Sequence, residues 1–588
     1  MSIAGTEVAV NAATAKSSRP RWLAPAMVSV LGAIAYIDTF KSPFIFDDEW
    51  ITHNRDIRQL WPLTTVLFSK ANVHRPMVAL SFAINYAISG LNVWSYHAVN
   101  LTIHILAALT LFGIVKVTLT GERLRGRFGA NADSLALAVA LVWMLHPIQT
   151  MAVTYTVQRC ESLMGLFYLL TLYAAIRGFD SGSRKWYALS IAACAAGMLS
   201  KQVMVTAPVL VLLYDVLFVT GSLRTSFVKR KWFYLGLAGT WAVLAATLIA
   251  APTNQTAGFA VKTITPLRYL LSEFGVIVYY LRLAFWPSPL CLDYVWPRAS
   301  TAAEIVPFAI IVGALVFATI YCVMRLKPAG YLGAWFFLVL SVTSSIMPFD
   351  DLIFEHRLYL PLAAVAALVV LGGYSGGRWL LDRAAFRYGS PAGTGGDVGR
   401  RLALASIVIV VAALGFLTLR RNVDYRNPMT LWMDVLAKQP QNGRARNNLG
   451  VLLLEKQDFD AALPQFELAC LYSPNSTNAH CNLGLTLSVK GRYAEARQEL
   501  NESLRIKPDF DRALFNLGQL SDAEGKDDEA ISLFHQTLDL NPSYQLAHLK
   551  LGQVLERTGK LSEAREHYEA ERRLYPESTG ASPGTAAR

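Results

Sequence analysis

Charge is scarce in this chain. Only 16% of its 588 residues are Asp, Glu, Lys or Arg, against 53% hydrophobic, which excludes an ordinary soluble protein over most of the length. Cysteine is scarce too. The six thiols at 160, 194, 291, 322, 470 and 481 form no C-x-x-C pair and have no zinc-spaced histidines, so no structural zinc is expected, and Cys470 and Cys481 read as small apolar filler. Neither a G-x-x-x-x-G-K-[ST] phosphate loop nor a dinucleotide fingerprint is present, which argues against direct use of ATP or NAD. The formal net charge of +12 is no nucleic-acid footprint, because the arginines sit between hydrophobic runs as membrane topology demands.

What the chain does have is apolar runs of membrane length. A bilayer core takes roughly 20 residues of helix, and eleven segments fit: 22–40, 95–119, 134–149, 155–176, 186–200, 203–220, 233–251, 305–324, 329–347, 358–377 and 402–420. The first lacks a small-residue cleavage site behind it and reads as a retained anchor. Positive charge collects in alternate loops: Lys16, Arg19 and Arg21; Arg123, Arg125 and Arg127; Arg177, Arg184 and Lys185; Arg224 and Lys229–Lys231; Arg325 and Lys327; Arg378, Arg383, Arg387, Arg400 and Arg401. These loops belong in the cytoplasm. The segments 75–89 and 267–287 then read as amphipathic helices near the outer interface, since counting 267–287 as a span would invert every later loop. Residues 1–21 become a cytoplasmic tail, 22–421 a membrane domain with an external loop at 41–94, and the C-terminal part lies outside.

The last 160 residues are polar and periodic. Prolines recur at 440, 474, 508, 542 and 576, each 34 residues from the last, in register with Leu-Gly pairs at 449–450, 483–484, 517–518 and 551–552 and with Ala462, Ala496, Ala530 and Ala564. This is the tetratricopeptide pattern, in which small residues let two antiparallel helices approach. Four repeats are expected over 443–578 after a half repeat at 422–442 carrying Trp432, with a disordered tail at 579–588. Asn448, Asn482 and Asn516 precede three of the Leu-Gly pairs and are expected to line a concave groove that binds an extended peptide. The "DFD" strings at 458 and 509 fall at repeat turns and are discounted.

The stretch "FDDEWITHN" (46–54) puts Asp47, Asp48 and Glu49 between apolar residues at a depth where an isolated charge costs up to about 3 kcal/mol, which marks a functional candidate. Such a carboxylate can serve as general base toward a hydroxyl or hold a divalent cation. Crowding raises the pKa of one member. On the same face lie His74, Arg75, Arg159, Lys201, His356 and Arg357, a set suited to the oxygens of a lipid phosphate. His104, inside a span, reads as a packing residue, and no role is assigned to Lys116 or Asp215.

"FDDEWITHN", "HRPMVALSFAINYAIS", "LHPIQTMAVTYTVQRCESLMGLFYLL", "LSKQVMVTAPVLVLLYD" and "EHRLYLP", followed by the repeats, resemble the bacterial relatives of the transmembrane and tetratricopeptide-repeat O-mannosyltransferases, over about 22–578. That resemblance implies an all-α GT-C fold and a polyprenyl-phosphate-linked sugar as donor. It also implies an inverting transfer to a Ser or Thr of a protein, with an acid of the first external loop as base or metal ligand. Asp47 and Asp48 carry the acid role, with Glu49 as a variant match; Arg357 would lie beside the lipid phosphate with His356 as a second donor. The expected setting is a bacterial inner membrane with the repeats in the periplasm. Two other readings stay open: the same chemistry on a lipid or surface glycan, and a non-catalytic scaffold for envelope or pilus assembly.

Overall fold

The computed structural model describes residues 20, 22–251, 258, 259, 261, 263–388 and 394–575, with side chains of 384–400 left out. Lys16, Arg19, Arg21, Pro576 and the tail at 579–588 lie outside the described residues, as do the side chains of Arg387 and Arg400. Among the described residues the protein is all-α, without a strand. The chain divides into two packed units, one of residues 1–288 and 298–423 and one of 289–297 and 424–588. The expected boundary at 421 thus moves to 423, and a short piece of the membrane-side sequence joins the second unit.

The first unit holds seventeen helices among the described residues: α1 (Leu23–Ala35), α2 (Glu49–His53), α3 (Leu63–Phe68), α4 (Pro76–Ser89), α5 (Val93–Thr120), α6 (Glu122–Phe128), α7 (Ala132–Met144), α8 (Thr150–Val153), α9 (Arg159–Ser181), α10 (Arg184–Met198), α11 (Ala207–Tyr214), α12 (Leu223–Ala250), α13 (Pro266–Phe285), α14 (Ala302–Met324), α15 (Ala329–Ser341), α16 (Pro361–Tyr388) and α17 (Thr394–Asp424). Eight stretches are long and apolar enough to cross a membrane: 23–41, 93–120, 156–181, 202–220, 223–250, 302–324, 361–383 and 401–424. The bent pair 122–144 and 147–153, whose halves meet at 52°, makes a ninth if its two halves are counted as one broken span. The protein is a multi-pass membrane protein.

Eleven full spans were expected, and three fall short. The segments at 134–149, 186–200 and 329–347 become helices of 13, 15 and 13 residues, about 20 Å at 1.5 Å per residue. The first is cut by Pro147, which lacks an N–H and pushes His146 out of helical dihedrals; His146 is extended at ψ 127°. The third ends before Thr343 and Ser345, whose hydroxyls turn to the backbone carbonyls of Leu340 and Ser341. The segment 267–287 is one helix of 20 residues, α13, outside the eight stretches.

Polar tethers fix the packing of this unit. His104 Nδ1 meets the Tyr359 hydroxyl at 3.0 Å and Nε2 the Met144 carbonyl at 3.1 Å, the packing role expected of it. Lys116 pairs with Asp133 at 2.7 Å, and Asp215 receives Arg230 at 2.8 Å and the Tyr234 hydroxyl at 2.6 Å. Arg123 donates to the Leu326 carbonyl at 3.1 Å, which brings the positive loops at 123–127 and 325–327 together, as one-sided topology requires.

The second unit is the solenoid. α18 (Pro428–Lys438) precedes four helix pairs: α19 (Gly443–Glu455) with α20 (Phe459–Tyr472), α21 (Thr477–Val489) with α22 (Tyr493–Ile506), α23 (Asp511–Ala523) with α24 (Asp527–Leu540), and α25 (Ala547–Arg557) with α26 (Leu561–Leu574). The Leu-Gly register does what its period predicts. A Cβ on Gly518 would lie 2.8 Å from the Phe534 ring, and one on Gly484 2.7 Å from Leu500 Cγ, so the paired helices touch where only hydrogen fits. Ala462, Phe466, Leu500, Leu517 and Leu520 are buried in the shared core, and Trp432 of α18 is buried as well. Residues 289–297 belong to this unit through Asp293, which accepts from Asn442 Nδ2 at 3.1 Å and from Arg444 at 3.1 Å, while Lys438 donates to the Leu290 carbonyl at 2.7 Å.

Candidate active site

The acidic turn is built by backbone hydrogen bonds from far away in the sequence. Phe46 sits at φ 49°, a left-handed conformation costly for an aromatic residue and found where the surroundings enforce it. The enforcement comes from its neighbours. Asp48 Oδ2 accepts the Ile45 N–H at 3.0 Å and Oδ1 the Val157 N–H at 2.6 Å, while the Asp47 N–H donates to the Tyr155 hydroxyl at 2.9 Å. The Phe46 ring lies nearly parallel to Tyr155 at 6.4 Å. His97 ties the preceding chain to α5, with Nε2 at 2.9 Å from the Ser42 carbonyl and Nδ1 at 3.1 Å from Thr39 Oγ1.

The three acids therefore separate. Asp48 is fully buried, whereas Asp47 and Glu49 are exposed. Burial pushes the Asp48 carboxyl up to about 8 although the N–H groups of Ile45 and Val157 pull it down, and the adjacent Asp47 charge adds to the rise. With both Asp48 oxygens already held by backbone donors, Asp47 and Asp48 do not present the two free carboxylates that a divalent ion would bridge. The pair does not fit the metal-ligand role considered for it.

A cationic group gathers from three loops. Lys201 pairs with Glu161 of α9. The Met77 N–H donates to the Leu199 carbonyl at 3.1 Å, which brings the start of α4, and with it Arg75, to the 199–201 turn. His356 is buried, and that burial, followed by the charges of Lys201, Arg357 and Arg75, holds it well below its usual range. It is a neutral imidazole among cations. His74 is half-buried and likewise lowered, by burial and then by Arg75. Two buried nitrogens of this group, Arg75 Nε and His356 Nδ1, have no partner among the described residues. Buried polar atoms are nearly always satisfied, and the Arg75 guanidinium nitrogen can only donate. The acidic turn and the cationic group lean on one stretch of chain, since α8 packs on the 355–358 turn and is followed directly by Tyr155 and Val157.

Three expectations are corrected. Arg159 cannot meet a phosphate. It is fully buried, its Nε bonds Asn100 at 2.6 Å, NH1 reaches Asn85 at 2.6 Å and the Ser81 carbonyl at 3.2 Å, NH2 reaches the Tyr96 carbonyl at 2.9 Å, and its face lies 4.2 Å from the Phe82 ring. It brackets α4, α5 and α9. Arg357 gives its donors to the carbonyls of Leu352 and Asp351, each at 2.8 Å, and to the Tyr269 hydroxyl at 3.3 Å. It holds the 343–357 loop together, with the buried Glu273 among its electrostatic partners. The asparagine ladder is internal: Asn482 donates to Asn447 at 2.8 Å and accepts from Arg512, and Asn516 donates to Cys481 Sγ at 3.2 Å. Asn482 and Asn516 are buried and join consecutive repeats, whereas Asn448 is half-buried and accepts only from the adjacent Asn447.

Glu161, Glu273 and Tyr155 were missed. The signal for the first was available, because "CESLMGLFYLL" sets a carboxylate inside an apolar run, where an ionisable group is a functional candidate by default. A dolichyl-phosphate-mannose-protein mannosyltransferase family model matches residues 73–250, and a tetratricopeptide-repeat model matches 431–479, 481–543 and 522–579. Protein O-mannosyl-transferase TMTC3 of Homo sapiens is 25% identical over 493 residues, covering 75% of this chain and 50% of that protein. The chain is similar to the tetratricopeptide-repeat O-mannosyltransferases over three quarters of its length. Protein O-mannosyl-transferase tmtc2 of Xenopus laevis is 29% identical over 248 residues, 38% of this chain and 28% of that protein. The chain spans about a quarter to a half of the length of these O-mannosyltransferases. Among solved structures, that of MamA protein matches at 19% identity and a TM-score of 0.24, covering 28% of this chain and 90% of MamA. The mannosyltransferase match takes in Arg75, Glu161 and Lys201 and leaves the acidic turn and the 355–357 turn outside.

Proposed function

We propose that this chain is a glycosyltransferase that moves a sugar from a polyprenyl phosphate to a Ser or Thr hydroxyl of a polypeptide at the periplasmic face of a bacterial inner membrane. Asp47 is the base. It is the exposed carboxylate of a strained turn whose buried neighbour, Asp48, has both oxygens engaged. It takes the hydroxyl proton as the oxygen attacks the anomeric carbon opposite the lipid phosphate, so the configuration inverts. The departing phosphate is met by Arg75 and the neutral His356, with Lys201 adding charge; Arg357 positions the turn that carries His356. The repeats bring the acceptor in, through surfaces other than the asparagine ladder.

The observation that carries this reading is the pair of unpartnered buried nitrogens, Arg75 Nε and His356 Nδ1, beside the stretch that also fixes the acidic turn. Mass spectrometry of external proteins from cells with and without the chain tests it. Loss of a hexose mass from Ser/Thr peptides supports it. A glycoproteome unchanged while a glycolipid shifts redirects the chemistry to a lipid acceptor, and no change in either refutes the enzyme reading.

A further inference from the structure

No metal-ligand spacing is visible along the sequence, yet the solenoid assembles one in space. Cys470 of α20, His480 of α21 and Glu499 of α22 bring one thiol, one imidazole nitrogen and one carboxylate oxygen within 4.8 Å of one another. These helices belong to two consecutive repeats.

The hydrogen bonds of His480 make this cluster more than a coincidence of neighbours. Nε2 lies 3.0 Å from the Pro474 carbonyl and Nδ1 lies 2.6 Å from Glu499 Oε2. A carbonyl only accepts, so Nε2 carries the hydrogen, and the Nδ1 of a neutral ring is then a lone pair facing a carboxylate. Two acceptors at that distance need a cation between them, either a proton or a metal ion. An imidazole with one N–H fixed on a backbone carbonyl and the other nitrogen aimed at a carboxylate and a thiol is also the arrangement of a metal-bound histidine.

The repeats supply an internal comparison. At the same register Arg446 donates to the Pro440 carbonyl at 3.2 Å and to Gln465 at 3.0 Å, and His548 meets the Pro542 carbonyl at 3.2 Å and His567 Nδ1 at 2.9 Å. The tether to the proline thus recurs in three of the four repeats, with Leu514 at the same register in the other. What sets the 474–506 repeat apart is the chemistry around the tethered ring, a soft thiol and a carboxylate together with the imidazole.

We propose that Cys470, His480 and Glu499 form a site for a zinc-class divalent ion that pins α21 and α22 to the last helix of the preceding repeat. Thiolate, imidazole and carboxylate together favour Zn²⁺ over Mg²⁺ or Ca²⁺. His480 and Glu499 keep some exposure, with side chains 11% and 24% accessible, which leaves room for water as a fourth ligand. Zinc bond lengths put tetrahedral donors about 3.4 Å apart, so the ion replaces the proton between Nδ1 and Oε2 and moves the carboxylate outward. The Cys470 thiol proton and the proton shared by Nδ1 and Oε2 are released to solvent on binding, leaving a thiolate ligand.

The test uses the purified, metal-stripped full chain titrated with Co²⁺ and then Zn²⁺. The expected result is one equivalent of Co²⁺ with tetrahedral d–d bands and a thiolate-to-cobalt charge-transfer band, displaced by Zn²⁺, with proton release measured in weak buffer. Cys470→Ser should abolish the charge-transfer band and weaken binding by more than the roughly 100-fold that loss of an outer-sphere partner costs. His480→Ala should do the same, whereas His567→Ala should bind as the parent chain does; circular dichroism melts confirm that each variant is folded. A folded parent chain without the band, or a Cys470→Ser variant that keeps it, overturns the proposal and leaves a hydrogen-bonded His–Glu pair.

Discussion

Asp47 and Asp48 are adjacent and chemically identical, so replacing each by Asn separates a reacting group from a holding group. Asp48 Oδ1 and Oδ2 each accept one backbone N–H in a fully buried setting. An Asn there can accept with one atom only, leaving the N–H of Ile45 or Val157 facing an amide NH₂. An unsatisfied buried donor costs about 1–3 kcal/mol, so Asp48→Asn should lower the thermal midpoint of the purified chain measurably. Asp47 is exposed, and its replacement should change stability by no more than about 0.5 kcal/mol. The kinetic order is reversed in character. Removing a general base slows the chemical step by about 10²–10⁴, a barrier increase of about 2.7–5.4 kcal/mol, so Asp47→Asn should bind donor normally and fail to turn over. The assay is sugar transfer from a polyprenyl-phosphate hexose to a Ser/Thr peptide in proteoliposomes, read by mass, alongside thermal unfolding of the same preparations. Parent-like turnover in Asp47→Asn, or an Asp48→Asn variant as stable as the parent, refutes the division of labour.

Arg159→Lys should be destabilised by about 3–5 kcal/mol, because a point ammonium cannot serve the five side-chain and backbone acceptors now bound, the Ser81 hydroxyl among them, and leaves a poorly paired buried charge; yield and thermal midpoint in detergent check it. Stability should also depend on pH through Asp48. Its folded value of about 8 exceeds the unfolded value near 3.9, so the contribution is fully present below about pH 4 and is lost as pH rises through about 8. Melts from pH 5 to 9 should show that decline in the parent chain, with a shallower slope in Asp48→Asn. Gly518→Ala should cost about 1–3 kcal/mol by forcing a Cβ against the Phe534 ring, read as an earlier solenoid transition with sugar-transfer chemistry intact at low temperature.

How much of this was legible in sequence follows the range of the interactions concerned. The solenoid was legible because its register is local and repeats every 34 residues, down to the glycines against Phe534 and Leu500. The long spans were legible because a hydropathy window sees composition. The same window cannot see where a helix stops, and apolar residues on both sides of Pro147 hid the break between α7 and α8. The acidic cluster stood out as misplaced charge, but its partition did not, since the donor that occupies Asp48 comes from Val157, 109 positions later. Arg159 looked like an interfacial cation because Ser81, Asn85 and Asn100, which absorb it, are unremarkable polar residues within apolar segments. Asn482 and Asn516 misled for a related reason: the position before Leu-Gly was read as facing the groove, whereas here those amides bridge successive helices.

The nine residues 289–297 bear on how the solenoid can be studied. Leu290, Cys291, Leu292 and Asp293 are all buried, and Asp293 is gripped by Asn442 and Arg444 within the same unit. A fragment begun at 424 would therefore carry an open apolar slot and two polar side chains stripped of their acceptor. Soluble expression of the repeats calls for grafting that peptide back, or for supplying it in trans, before any acceptor-binding measurement on the isolated unit can be interpreted.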